Sequence, residues 1–85
     1  MDRRISENWG INHRRVREFF EQQSDVERSE QGYVYQKCVI RIHELAAKEV
    51  GAIRIERTQV EMEGPEPEIT QIHNRFILHF LSAGG

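Results

Sequence analysis

The apolar residues in the first quarter of the chain repeat with helical spacing. Val16, Phe19 and Phe20 stand at i, i+3 and i+4, which places them on one face of a helix. Asn12, just before this pattern, is a favourable N-cap residue because its side chain can accept a hydrogen bond from the first turn. The pattern predicts a helix over 13–23.

The apolar residues of the segment 33–50 can be read with the period of a strand or with that of a helix. As a strand, one parity carries apolar residues but also Gln36 and Glu44. As a helix, one broad arc collects most of the apolar residues, namely Val34, Tyr35, Cys38, Val39, Leu45, Ala46 and Val50. Gly51 stands where a helix commonly ends in a glycine. The helical template fits better, and we predict a helix over 33–50, with a strand over 33–45 as the open alternative.

The last third of the chain alternates in the manner of strands. Ile53 and Ile55 share one parity and Val60 and Met62 the other, so a strand over 52–63 needs a β-bulge near 57–59 to keep one apolar face. The proline-containing segment 64–68 is typical of a turn.

A second strand is predicted over 69–81. Phe76, Leu78 and Phe80 share one parity, and Ile77, His79 and Leu81 share the other. Apolar residues thus lie on both faces of 76–81, interrupted by His79 alone. Such a strand is covered on both sides or meets a partner.

These elements predict an α+β fold with two helices packed on a long C-terminal antiparallel β-hairpin. If 33–45 is a strand, the alternative is one helix plus a three-stranded antiparallel meander. Residues 1–11 are predicted as a flexible or partly docked arm, 12–82 as a single domain and 83–85 as a tail. Because a two-stranded sheet alone is marginal, we expect a homodimer that pairs two hairpins.

Composition narrows the class of protein. The chain has 85 residues, of which 38% are hydrophobic and 31% charged, and its net charge is −2. These values are typical of one globular domain with no global attraction to nucleic acid or anionic membrane. The first residues are polar, and no apolar run is long enough to span a bilayer. The expected location is the cytoplasm.

Cys38 is the single cysteine, and on the predicted helix it lies on the apolar arc, where a free cysteine acts as a small hydrophobic residue. Cys38, the helix that continues to Val50 and the run 69–73 before an apolar strand resemble part of the OsmC/Ohr family of thiol peroxidases. In that family a helix carries a reactive cysteine near its start, and two strands follow. The family's chemistry uses a second cysteine, which this chain lacks, so the resemblance assigns no catalytic role to Cys38.

The sequence gives only weak indications of a metal site or of a carrier function. The four histidines, His13, His43, His73 and His79, show no spacing typical of a zinc site, and we expect neither a metal nor a cofactor. Gly84-Gly85 resembles the terminus of ubiquitin-like carrier proteins. Those proteins begin with a β-hairpin, whereas this chain is predicted to begin with a helix, so the carrier interpretation is not the favoured one.

Charged residues form two separate groups. One is acidic and lies at the predicted hairpin turn: Glu61, Glu63, Glu66 and Glu68. The other is basic and includes Arg14, Arg15 and Arg17 in the first predicted helix. The acidic group is typical of a solvated surface or of a contact with a basic partner. The arginines could contact the phosphates of a nucleic acid.

The favoured function is a non-enzymatic protein–protein interaction module, an adaptor or regulator that binds itself and another protein. The predicted contact residues are Ile77, His79 and Leu81 on the last strand and Glu61, Glu63, Glu66 and Glu68 at the turn. One alternative is a nucleic-acid-binding regulator that uses Arg14, Arg15 and Arg17. Another is a thiol-dependent activity at Cys38.

Overall fold

A five-stranded antiparallel sheet and two helices make up the fold in the computed structural model, which describes residues 2–83. The elements in chain order are β1 (Asp2–Trp9), α1 (His13–Glu21), β2 (Val26–Ser29), β3 (Gly32–Tyr35), β4 (Cys38–Val50), β5 (Ile53–Pro65) and α2 (Glu68–Ala83). The strand order is β1-β5-β4-β3-β2. The predicted pair of helices on a C-terminal hairpin is therefore wrong, and so is the alternative with a three-stranded meander.

The N-terminal segment is part of the sheet. Residues 2–9, expected within an arm, form the edge strand β1, which pairs antiparallel with β5 from Asp2 opposite Pro65 to Trp9 opposite Thr58. The Trp9 ring meets Phe76 edge to face with 5.3 Å between centroids. The chain thus begins with a strand and a helix, and β1 and β2 lie at opposite edges of the sheet.

Helix α1 confirms the first prediction. The Asn12 side chain accepts a hydrogen bond from the backbone N–H of Arg14 at 2.7 Å, so Asn12 is the N-cap. Val16, Phe19 and Phe20 are all buried. The amphipathic spacing and the cap together fix this helix where the sequence indicates it.

The predicted helix over 33–50 is wrong, because this segment forms most of β3 and the whole of β4. Tyr35 pairs with Cys38, so Gln36 and Lys37 make a two-residue turn, with Gln36 at φ 54°. The buried residues are Tyr33 and Tyr35 before the turn and Cys38, Ile40 and Ile42 after it. The buried residues have odd numbers before the two-residue turn and even numbers after it. A strand pattern that is read through the turn without a break therefore mixes the two faces of the sheet.

Strand β5 confirms the predicted strand, but the bulge lies elsewhere. The register shifts in β4, between Leu45 and Lys48, where β4 has two residues opposite Glu56 alone. β5 itself alternates without interruption, so Val60 and Met62 are buried while Ile53 and Ile55 lie on the opposite face and are exposed. Gly51, expected to end a helix, stands instead in the tight β4–β5 turn at φ 61°.

The predicted strand over 69–81 is also wrong, since these residues form α2. Its buried residues are Ile69, Ile72, Phe76 and Phe80, a spacing of three and four that matches a helix. Leu78, which a strand would place beside Phe76 and Phe80, is 65% exposed. Isoleucine and phenylalanine are common in strands, and here tertiary packing decides against that preference.

Both helices pack on one face of the sheet and enclose the core. Phe76 is its centre, stacked parallel to Phe20 at 5.7 Å and in contact with the Phe19 and Phe80 rings. Thr58, the one buried polar residue among those that the structure describes, donates its hydroxyl to the Ile11 carbonyl at 2.6 Å. In residues 2–83, no helix packs on the other sheet face. Over residues 2–83, neither helix is long and apolar enough to cross a membrane.

Candidate functional site

Cys38 is the only thiol, and the structure places it in the core at the start of β4. Its side chain is fully buried and packed against Gly64, and its Sγ donates to the Pro65 carbonyl at 4.0 Å. Burial raises the pKa of the Cys38 thiol to about 11, with a smaller contribution in the same direction from carboxylates led by Glu68. A buried thiol with a raised pKa is a poor nucleophile, so the site disfavours thiol-dependent activity.

The four glutamates expected at a hairpin turn are distributed over two elements. Glu61 and Glu63 lie on the open face of β5, where Glu61 contacts Arg4 at 3.4 Å and His43 at 2.8 Å. Glu63 lies 3.8 Å from Arg41. Basic neighbours thus offset the charge of both carboxylates.

The other two glutamates lie near the start of α2. Glu66 precedes the helix and accepts hydrogen bonds from Arg3, at 2.7 Å, and from Thr70. The Thr70 hydroxyl, followed by the Arg3 guanidinium, lowers the pKa of Glu66. Glu68 begins α2, where a negative charge interacts favourably with the helix dipole. The structure therefore explains both residues as parts of the helix start.

Ile77, His79 and Leu81 lie on α2 and not on a strand. Ile77 is partly buried against the core, and the His79 ring lies 4.8 Å from that of Phe19. Leu81 is 64% exposed. Helical spacing places Ile77 and Leu81 on the side of α2 towards β1 and His79 on the side towards α1, so the three residues do not form one surface.

Arg14, Arg15 and Arg17 are all exposed on α1. The Arg15 guanidinium lies over the Phe80 ring at 5.9 Å from its centroid. Arg17 lines a groove of about 340 Å³ together with Arg28. Glu30 also lines this groove, and its Arg28 and Tyr33 donate to the Glu21 carboxylate at 2.8 and 2.7 Å, so the groove is not purely basic.

Three of the four histidines each contact one glutamate. His13 lies 3.6 Å from Glu44, His43 lies 2.8 Å from Glu61, and His73 lies 2.9 Å from Glu7. These pairs are dispersed over the fold. Within the described residues, no three His, Cys, Asp or Glu side chains come together as metal ligands.

The most prominent exposed feature is one that the sequence did not indicate. Beyond Ile40 of β4 and Thr58 of β5, the two strands continue together, and no other strand in residues 2–83 pairs with them on either side. We call this projecting two-stranded segment, residues 45–57, the arm. Val50, Ile53 and Ile55 are 52%, 65% and 39% exposed. Val50 pairs with Ile53, and Ile53 and Ile55 share one parity, so all three lie on the same face of the arm.

Two basic residues share the apolar face of the arm. Lys48 pairs with Ile55, and Arg57 pairs with Leu45, and directly opposed residues point to one face. Across the part of the chain that the structure describes, neither Lys48 nor Arg57 pairs with a carboxylate. The arm thus presents aliphatic side chains and two cations together on one exposed face.

The fold is that of a small α+β protein with a five-stranded antiparallel sheet and two helices. The family model described as archaeal MoaD-like protein matches residues 5–85. The chain therefore belongs to the archaeal MoaD-like family. Searches of curated proteins and of solved structures returned no match. Gly84-Gly85, compared above with the terminus of ubiquitin-like carriers, falls inside the matched range but outside the residues that the structure describes.

Proposed function

We propose that this protein is a small, non-catalytic, sulfur-carrier-like protein that acts by docking onto a partner protein. The observation that carries the proposal is the family match, which extends over 5–85 and so over nearly the whole chain. A match of this length concerns the complete fold and not an isolated motif.

The proposal assigns the sulfur to a carboxylate and not to a thiol. A protein can carry sulfur on a cysteine, as a persulfide, or on a carboxylate, as a thiocarboxylate. Cys38 is enclosed by the core and its pKa is raised to about 11, which opposes transfer of sulfur to or from it. We therefore assign the cargo to a carboxylate and not to Cys38, and the candidate position is the Gly84-Gly85 pair, which resembles the terminus of ubiquitin-like carriers. An activating enzyme would join a carboxylate there to a nucleoside triphosphate and release pyrophosphate. Sulfide would then attack the acyl carbon and release the nucleoside monophosphate, which leaves a thiocarboxylate.

The arm is the proposed docking surface. A two-stranded ribbon is narrow, and by itself it is marginally stable in water, so a partner that encloses it would stabilise it. Its exposed face combines the aliphatic Val50, Ile53 and Ile55 with the cations Lys48 and Arg57. The partner that fits is a protein with an apolar groove and an acidic rim. The predicted contacts at Ile77, His79, Leu81 and the four glutamates remain predictions.

Mass spectrometry of the full-length protein tests the carrier role. The protein is isolated from its source, or incubated with an extract, a nucleoside triphosphate and a sulfur donor, and its C-terminal peptide is analysed. The expected product has one oxygen replaced by sulfur at Gly85 and an unmodified Cys38. Sulfur on Cys38 alone, or a chain that continues past Gly85, would contradict the proposed site.

Substitutions on the arm test the docking surface. Ile53→Ser should abolish capture of the partner, whereas Leu78→Ser should retain it, because Leu78 is equally exposed on α2. Both side chains are exposed, so both variants should stay folded by circular dichroism. Capture that survives Ile53→Ser would remove the arm from the proposal. Arm-dependent capture without sulfur on the C-terminal peptide would make the protein an adaptor.

Nucleic-acid binding is the second candidate function. Arg14, Arg15 and Arg17 are exposed on one short helix, and in residues 2–83 no carboxylate pairs with any of them. Binding through phosphates should weaken steeply with salt and with the triple substitution to alanine. Unchanged mobility of DNA and RNA at low salt would eliminate this function.

A further inference from the structure

Strand β1 is an open edge of the sheet. It pairs with β5 on its inner side, and among the described residues no strand pairs with its outer side. It is eight residues long, against four for β2 at the opposite edge. The outward N–H and C=O groups of an edge strand are able to pair with another strand. β1 therefore offers a full-length template for one.

The sequence of β1 is complementary to itself in one antiparallel register. A two-fold axis through Ile5 places Arg3 opposite Glu7 of the second copy, and the reverse, with the two Ile5 side chains facing each other. Opposite charges at facing positions stabilise a strand pair. An axis through Arg4 would instead bring two arginines together, and an axis through Ser6 would place Ile5 opposite Glu7. The charge pattern thus selects the register centred on Ile5.

Helix α2 borders the same edge with apolar side chains. Arg3 donates to Thr70 at 3.4 Å, and His73 contacts Glu7 at 2.9 Å, so this side of α2 lies along β1. Ile77 and Leu81 follow His73 at successive intervals of four residues and lie on that side. A copy paired on β1 would therefore meet an apolar border as well as the strand edge.

We propose that β1 pairs antiparallel with β1 of a second copy of this chain, about a two-fold axis at Ile5, and joins the two five-stranded sheets into one. This assembly is independent of sulfur carriage. It leaves the arm of each copy free for another protein. It also differs from the predicted pairing of two C-terminal hairpins, which the five-stranded sheet rules out.

Charge reversal tests the register. Light scattering across a concentration series should show a dimer for the native chain. Arg3→Glu and Glu7→Arg should each shift it towards monomer, because like charges then face each other, and the double variant should restore the dimer. Glu27→Arg on the opposite edge strand is the matched control and should change nothing. A native chain that is monomeric throughout, or a double variant that stays monomeric, would overturn the proposal.

A disulfide tests the position of the axis. Facing residues in an antiparallel pair have Cβ atoms about 4.5–5.5 Å apart, close to the separation that a disulfide bridges. Ile5→Cys should therefore cross-link under mild oxidation, and the buried Cys38 should not compete. Ile53→Cys, on the arm, should remain largely monomeric on a non-reducing gel. Cross-linking at position 53 and not at position 5 would place the contact on the arm and overturn the proposal.

Discussion

Gly64 packs directly against Cys38. A Cβ placed on Gly64 would lie 2.6 Å from the Cys38 Sγ and 2.7 Å from its Cα, distances that real side chains do not adopt. The backbone of β5 therefore approaches the start of β4 as closely as it does only because residue 64 has no side chain.

Gly64→Ala should destabilise the protein by about 1–3 kcal/mol, the usual effect of overpacking a core. The added Cβ would meet the Cα of Cys38 as well as its side chain, and a backbone atom cannot rotate away. Gly10→Ala is the matched control, because its Cβ would lie 3.7 Å from the nearest side-chain atom of Ile55, an ordinary contact. Urea unfolding of both variants checks this. Equal midpoints for the two variants would show that the contact at Gly64 relaxes freely.

The Cys38 thiol should be inert in the native protein. Its pKa, raised from 9.0 to about 11, leaves about 100-fold less thiolate at neutral pH than an unperturbed cysteine has. Alkylation at pH 8 should therefore be slow in buffer and fast in urea, as followed by mass spectrometry. Comparable rates in the two conditions would restore the thiol-dependent hypothesis.

The same thiol should make the protein sensitive to alkali. Because its folded pKa lies above the unfolded value, the unfolded state loses its proton first, and stability falls as pH rises from about 9 towards about 11. Tyr33, whose pKa is raised from 10.0 mainly by burial, adds to the loss at the upper end. The urea midpoint of Cys38→Ala should fall less than that of the native chain between pH 8 and pH 10.

Phe76 and Leu78 should respond oppositely to truncation, although a strand would have given them one face. Phe76 is fully buried among four aromatic rings, and Phe76→Ala should cost about 3–5 kcal/mol. Leu78 is 65% exposed, so Leu78→Ala should change stability by no more than about 0.5 kcal/mol. Thermal unfolding distinguishes these outcomes, and similar losses would argue against helix α2.

Asp25 and Arg75 should contribute to stability in a pH-dependent way. Arg75 donates to both oxygens of Asp25, at 2.8 and 3.2 Å, and this hydrogen bonding lowers the pKa of Asp25 below 3.8. A lowered folded pKa gives stability at neutral pH that is lost as pH falls below about 4. Both groups are partly exposed, so Asp25→Asn should cost at most about 1 kcal/mol at pH 7.

The Asp25–Arg75 pair is tested by how the free energy of unfolding falls at acidic pH. Between pH 5 and pH 3, stability should fall less steeply for Asp25→Asn than for the native chain. Glu27→Gln is the control, since Glu27 is exposed on the adjacent strand. If all three proteins lose the same stability between pH 5 and pH 3, the Asp25–Arg75 pair does not couple to folding.

Hydrogen exchange should divide β5 into two parts. Residues 58–65 lie between β1 and β4, whereas 53–57 pair with β4 alone. Backbone hydrogen bonds with few packed neighbours open at low free energy. Amides of Val60 and Met62 should therefore exchange much more slowly than those of Ile53 and Ile55. Uniform protection along β5 would mean that the arm is covered in solution.

Sequence patterns located some elements and missed others for identifiable reasons. Helix α1 was predictable because its cap and its apolar spacing agree. Strands β3 and β4 were not, because the Gln36-Lys37 turn changes the buried parity and the favourable helical arc arose by coincidence. Helix α2 was mistaken for a strand because isoleucine and phenylalanine dominate it, although the spacing of Ile69, Ile72, Phe76 and Phe80 is helical.

The candidate surfaces, like the fold, were only partly predictable from the sequence. The burial of Cys38 was predictable, since it lies on an apolar face in either secondary structure. The arm was not predictable, because its exposed face depends on a register shift at Ala46-Ala47 that alanines do not signal. The sequence showed that Ile77 and Leu81 are apolar residues beyond those needed for one buried face. Their side of the helix could be assigned only from the contacts of His73 and Thr70 with β1.

The pairing of β1 with β5 has a consequence for biosynthesis. β1 is synthesised before the other four strands, yet Asp2 pairs with Pro65 and Trp9 with Thr58, so its partner strand is synthesised much later. Contacts between residues distant in sequence are slow to form. Of the five strands, the first to be synthesised is thus among the last to join the sheet, and until then its edge is open to any factor that accompanies the emerging chain.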